Sequence, residues 1–108
     1  YISITGIKVR GFFGMLKFIR YTMPSFAAAR KANGNLFCDS KKINKYHHTL
    51  TAWENKSKMI DYLRGKHHAL AMKNFRFIGT GSVHGYEDNV VPSWEEAIKK
   101  WKENFKEI

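Results

Sequence analysis

Residues 1–9 (YISITGIKV) are rich in β-branched side chains, alternate partly in polarity and close at Arg10-Gly11, a pattern that predicts a strand. Over residues 12–23 the period changes, with Phe12, Met15, Leu16, Ile19 and Met23 on one stripe and Lys17 and Arg20 between them, as on an amphipathic helix. Pro24 lacks an N–H and predicts an end or a kink. The small-residue run 25–31 then resumes a helix, which Asn33-Gly34 stops in the manner of a left-handed cap. Residues 35–43 (NLFCDSKKI) predict a second strand and residues 47–54 a third. The turn Asn44-Lys45 between them makes the two a hairpin. A helix follows over residues 56–74, its stripe Met59, Ile60, Leu63, His67 and Leu70 interrupted at Gly65. Residues 76–86 (RFIGTGSVHGY) predict a fourth strand with Gly79, Gly81 and Gly85 on one face and Ile78, Thr80, Ser82, His84 and Tyr86 on the other. After a loop at 87–91, Ser93 and Glu96 form a capping box for a last helix striped by Trp94, Ile98, Trp101, Phe105 and Ile108.

The order β-α-β-β-α-β plus a C-terminal helix is that of the ferredoxin-like split βαβ, an α+β fold in which helices cover one face of an antiparallel sheet. At 108 residues the chain makes one such domain, residues 1–108. If the uncovered face carries Trp53 and Tyr86, large aromatics are left in water, and a homodimer that packs two sheets together is the expected remedy.

Composition narrows the class without naming a reaction. A hydrophobic fraction of 44% and an aromatic fraction of 15% are those of a folded globule. No stretch approaches the roughly 20 apolar residues of a membrane span. The basic helix at residues 12–23 could lie on a membrane surface, although such a stripe more commonly packs on its own sheet. One cysteine, Cys38, can form no internal disulfide, which fits a reducing compartment and a cytoplasmic protein. The formal charge of +10 arises from 19 Lys and Arg against 9 Asp and Glu. The lysines are scattered rather than blocked, so a nucleic-acid site is not expected and a generally basic surface is. The alternative that this charge keeps open is a non-catalytic ligand-binding or sensing module whose basic surface recruits an anionic partner.

With the order of elements in hand, the phrase HHTLTAWENKSKMIDYLRGKHHALAM resembles the signature of the dimeric α+β barrel proteins. In that superfamily a strand ending in Trp-Glu leads into a helix with the pattern W-E-x-x-x-x-M-x-x-[FY], matched here by Trp53, Glu54, Met59 and Tyr62. Together with SFAAARKANGNL and GTGSVHGY, the chain is similar to small proteins related to spheroidene monooxygenase within the antibiotic-biosynthesis-monooxygenase-like group. The resemblance implies a homodimer and a monooxygenase, haem-dependent or cofactor-free, acting on a hydrophobic or aromatic small molecule. Haem-degrading members of the superfamily carry a tryptophan and, further along the same helix, a haem-ligating histidine; the corresponding positions here are Tyr62 and Met72. A haem would therefore need His67 or His68 as its ligand.

The candidate site residues follow from strand faces and from this resemblance. His47 shares a strand face with Thr49, Thr51 and Trp53, a set able to hold a flat ligand or to form the layer between two sheets. His84, Ser82 and Tyr86 form the comparable face of the fourth strand, and a pocket lined by both sets is expected. Adjacent helical residues point about 100° apart, so at most one of His67 and His68 serves such a pocket. His67 continues the apolar stripe as a core residue would, and the resemblance favours His68. Catalytic candidates are His47, His68 and His84; ligand-binding candidates are Thr51, Trp53, Tyr62, His67 and Tyr86. No histidine pair sits beside a carboxylate in ligand spacing, so no metal site is expected.

Overall fold

A computed structural model describes residues Tyr1–Ile108. Strand β1 (Ile2–Val9) lies at the centre of a five-stranded antiparallel sheet of order β2-β3-β1-β4-β5, flanked by β3 (Tyr46–Trp53) and β4 (Gly79–Tyr86). Ile2, Ile4 and Ile7 are buried along it, and so is Ser3, because both of its faces are covered. Strand β2 (Asn35–Ile43) forms one edge as the hairpin partner of β3. Asn44, at φ 56°, supplies the left-handed residue that this two-residue turn demands. The sequence-predicted β-α-β-β-α-β order and the α+β, ferredoxin-like class are those of the structure.

Between β1 and β2 the helical segment is continuous but changes pitch. Helix α1 (Gly11–Lys17) passes through a π-helical turn (Phe18–Thr22) into α2 (Met23–Lys31). The Met23 N–H donates to the Phe18 carbonyl, a wide i to i−5 bond, immediately before Pro24. Pro24 directly follows that wide turn, which accommodates its ring and missing N–H, so the chain neither stops nor restarts there as the sequence predicts.

Three further predictions change in the structure. The helix expected over residues 56–74 is two helices, α3 (Lys56–Leu63) and α4 (Lys66–Lys73), broken at Arg64-Gly65. Asn55 caps α3 by accepting the Lys58 N–H at 3.0 Å. The first residues of the expected fourth strand form instead a helical turn, α5 (Phe75–Ile78), which buries Ile78 and sets the Phe75 ring against Gly81. Helix α6 (Trp94–Asn104) keeps its predicted cap, with Ser93 Oγ accepting the Glu96 N–H at 3.2 Å. It ends before Phe105, and the chain turns back as β5 (Lys106–Glu107) beside β4, so Phe105 and Ile108 leave the helical stripe.

The largest departure concerns the second face of the sheet. Helices α1 to α5 lie on one face and α6 lies on the other, where Ala97 and Trp101 join Ile2, Ile4, Leu50 and Ala52 in a buried cluster flanked by Tyr46, Tyr86 and Trp94. The Trp94 indole N–H donates to Asp39 Oδ2 at 2.9 Å and anchors α6 to β2. The Trp101 ring lies over Gly6, where a Cβ would stand 2.5 Å from its Cζ2. Both faces are thus covered within one chain. Trp53 and Tyr86 also face opposite ways, for Tyr86 and Ala52 pair with the same residue, Ile2, while Trp53 follows Ala52 and points to the α1–α5 side. The bare aromatic face from which the homodimer is predicted is absent.

Candidate functional site

The residues of β1 and β3 that face helices α1 to α5 are Ser3, Thr5 and Ile7 and Thr49, Thr51 and Trp53. Hydroxyls at four of these six positions, Ser3, Thr5, Thr49 and Thr51, leave the middle of this face without the apolar bulk that would fill a core. A cavity of about 130 Å³ remains between them and helices α2, α3 and α4. That volume accommodates roughly one aromatic ring, near the 150 Å³ of a benzene-binding cavity.

Its walls are fixed by hydrogen bonds and ring packing. The Trp53 indole N–H donates to Thr51 Oγ1 at 3.0 Å within the same strand, and Thr5 and Thr49 join hydroxyls across the β1–β3 pair. On the helix side, the Tyr62 hydroxyl donates to the Ser25 carbonyl at 2.7 Å and accepts from Ser25 Oγ at 2.8 Å. Trp53 stacks on Tyr62 with ring centroids 5.4 Å apart, and Tyr62 meets His68 edge-on at 5.5 Å. Burial raises the Tyr62 hydroxyl above its usual pKa, against the opposing pull of the Ser25 hydrogen bond, so it stays a donor.

His68 Nδ1 lies 3.2 Å from the Leu63 carbonyl. A carbonyl only accepts, so Nδ1 carries the proton and the neutral ring keeps a free lone pair on Nε2. Burial lowers the His68 pKa from its ordinary value, the Leu63 bond opposing it more weakly. The side chain is therefore a neutral imidazole at pH 7 with one basic nitrogen at the cavity wall. No other histidine lines this cavity.

The break at Gly65 decides which of the paired histidines points inward. On a helix running unbroken from Lys56, His67 would extend the Leu63 stripe. Because α4 restarts after Gly65, His67 is exposed and His68 is half-buried beside Tyr62. Thr51, Trp53, Tyr62 and His68 come together around one cavity. His47 does not line it: its ring packs on Phe18, centroids 4.7 Å apart, in a neighbouring open groove. His84 and Tyr86, stacked at 5.5 Å, lie on the α6 face with Ile4 and Ile2. The expected pocket lined jointly by the His47 and His84 faces does not form, because the sheet itself separates them.

Sequence reasoning passed over Ser25, which is 4% exposed and holds Tyr62, and the π-helical turn, whose Thr22 reaches the cavity. Pro24, one residue before Ser25, was the visible sign of irregular helix there. Haem does not fit this cavity. About 130 Å³ is far below the 300–1,000 Å³ of sites for larger ligands. No group of three or more His, Cys, Asp or Glu side chains converges as a metal site.

No family model matches the chain, and no curated protein matches it in sequence. Solved structures do match in fold. SnoaB, a cofactor-independent oxygenase from Streptomyces nogalater, aligns over 85% of this chain and 96% of its own with TM-score 0.65 at 10% identity. A conserved protein from Methanosarcina mazei aligns over 82% and 91% with TM-score 0.68 at 11% identity. A protein described as an antibiotic biosynthesis monooxygenase aligns over 82% and 98% with TM-score 0.66 at 10% identity. Likeness at this level of identity is a statement about fold: the chain has the ferredoxin-like α+β fold seen in antibiotic biosynthesis monooxygenases.

Proposed function

We propose that this protein is a monooxygenase-like protein that binds a hydrophobic or aromatic small molecule between its sheet and helices and oxygenates it without a cofactor. The observation that carries the reading is the convergence of Trp53, Tyr62 and the neutral His68 on one cavity. A base, a hydrogen-bond donor and a flat aromatic wall are what an acidic, electron-rich aromatic substrate requires. His68 Nε2 removes a proton from an activated CH₂ of the substrate, and the Thr51 hydroxyl, whose oxygen accepts from Trp53 and whose own hydrogen is uncommitted, stabilises the resulting anion. The anion itself reduces dioxygen. One oxygen atom enters as a carbonyl and the other leaves as water, so CH₂ and O₂ become C=O and H₂O with no outside reductant.

Two companion features belong to the same proposal. Assembly as a homodimer is supported by the family resemblance and by apolar side chains left exposed on α1 and the β2 edge, among them Phe12, Phe13 and Leu36. A monomer in light scattering at micromolar concentration refutes it. No helix is long and apolar enough to cross a membrane. The single cysteine, Cys38, supports a reducing compartment such as the cytoplasm.

The test of the activity is oxygen uptake with benzoylacetone, a one-ring compound with an acidic CH₂, in metal-free buffer, with ¹⁸O₂ followed into the product. Uptake that falls about a hundredfold in His68→Ala, the lower end of what a general base contributes, supports the proposal. Equal rates in the wild type and in buffer refute it.

A further inference from the structure

Beside the cavity lies a larger feature that the reading above leaves without a role. The α1–α2 helical segment and the β2–β3 hairpin enclose an open groove of about 760 Å³, enough for a ligand of drug size. Its apolar wall comes from Met15, Phe18, Ile19, Met23 and Phe26 on the helices and from Ile7 on β1. The π-helical turn contributes Phe18, Ile19 and Thr22 to this one surface, and such widened turns recur at functional sites.

The opposite wall is cationic. Lys41 and Lys42 of β2 line it, Arg30 of α2 stands at its edge, and no carboxylate is among the lining residues. The imbalance extends beyond the groove. Residues 1–38 hold six Lys and Arg (Lys8, Arg10, Lys17, Arg20, Arg30 and Lys31) and no Asp or Glu, so the β1 and helical part of the groove has no counter-charge of its own. The Arg30 guanidinium stacks over the Phe26 ring at 5.2 Å, which places a fixed cation at the junction of the apolar and the charged walls. Lys42 is one of the causes that hold the His47 imidazole below its ordinary pKa, after burial, which marks the sign of the local field.

Groove and cavity are neighbours. Ile7, Thr22, Phe26 and Thr49 line both, so a ligand lying in the groove abuts the cavity that holds Trp53 and His68. The cavity is sized for one ring and the groove for everything attached to it.

We infer that the groove binds the body of a small organic anion, an amphiphile with an apolar or aromatic chain and a carboxylate head that pairs with Arg30 and Lys42. The inference deepens the function proposed above by naming the class of ligand. Arg30 can grip a carboxylate through two parallel N–H donors, and Lys42 adds a point charge. Burial of the apolar body on Phe18, Ile19 and Met23 supplies most of the affinity, and the cations decide which amphiphiles enter.

The experiment needs no turnover. 1-Anilinonaphthalene-8-sulfonate is bound to the full chain and displaced, at low salt and below micelle concentrations, by decanoate or by decanol, which share a chain and differ in head-group charge. Decanoate is expected to displace the dye about fivefold more effectively than decanol, the upper end of what one partly exposed charge pair provides. Arg30→Gln and Lys42→Gln, both exposed positions, each remove most of that preference and leave decanol binding unchanged. Equal displacement by the two compounds overturns the inference, as does a preference that survives both substitutions. Displacement that weakens as protein concentration rises also overturns it, since a second copy of the chain would then be closing the groove. The two proposals fail separately. A protein that binds decanoate and oxygenates nothing refutes the monooxygenase reading alone; one that oxygenates benzoylacetone and ignores decanoate refutes this inference alone.

Discussion

The Tyr62 hydroxyl closes a two-way hydrogen bond with Ser25, donating to its carbonyl at 2.7 Å and accepting from its Oγ at 2.8 Å, and so ties α3 to α2 at the cavity wall. Ser25 is 4% exposed and has no other side-chain partner, so both of its bonds depend on one phenol. Tyr62→Phe keeps the ring that stacks on Trp53 and deletes only the oxygen. The expected cost is about 1–3 kcal/mol from the buried groups left unpaired. Chemical denaturation should show an unchanged slope and a lowered midpoint. If the midpoint is unaltered, water replaces the phenol and the α2–α3 tie contributes nothing.

How much of this architecture is legible in the sequence depends on the range of the interaction involved. The period-two pattern of 47–53 places His47, Thr49, Thr51 and Trp53 on one face, which the structure repeats, and the Ser93–Glu96 cap marks the start of α6. Both are local. Whether the His84 face joins the His47 face is set by the register of two strands on β1, and a one-residue slip inverts every side chain. Nothing within either strand encodes that register. His67 and His68 show the same limit in a helix: Gly65 was visible as an interruption, but the rotation between α3 and α4 depends on how each packs on the sheet. The covering of the second face by α6 was masked in a different way. Its stripe is strong, yet a stripe does not say which face of the sheet it meets.

Acid sensitivity follows from four histidines whose pKa values all lie below the ordinary value, in each case first because of burial: His47, His48, His68 and His84. The unfolded chain binds these protons at about pH 6.5 and the folded chain only at lower pH. Between those values the unfolded state holds more protons. Stability from this source is therefore complete above about pH 6.5 and is lost as pH falls through the folded-state values. Denaturation midpoints should be flat from pH 8 to 7 and decline below about pH 6.5. A midpoint that rises on acidification would contradict the direction of all four shifts.

The same reasoning applied to His68 alone gives a signature in the rate. Its free Nε2 acts as a base only in the neutral ring, and the neutral form already dominates at pH 7 because burial depresses its pKa. Oxygen uptake with saturating substrate should be level through neutrality and fall on the acid side. His67→Gln, a change on an exposed face of α4, should leave that profile in place. A profile that moves with His67 and ignores His68 would reassign the base.

Trp101 tests whether α6 is structural cover for the second sheet face. It is 5% exposed, its N–H donates to the Ser82 carbonyl at 3.2 Å, and its ring meets His48 edge-on at 4.8 Å while lying on Gly6. Trp101→Ala removes the largest side chain that α6 contributes to that core and is expected to cost about 3–5 kcal/mol, a large share of a small domain's stability. Gly6→Val reaches the same contact from the other side, since any β-carbon there must displace the indole. The two changes should each loosen α6, seen as loss of near-ultraviolet circular dichroism and faster amide exchange across Trp94–Asn104. In the double variant the costs should fall well short of additive, because both act through one contact. Additive losses would mean that Gly6 and Trp101 stabilise the fold independently, and that α6 is held to the sheet elsewhere, through Trp94 and Asp39.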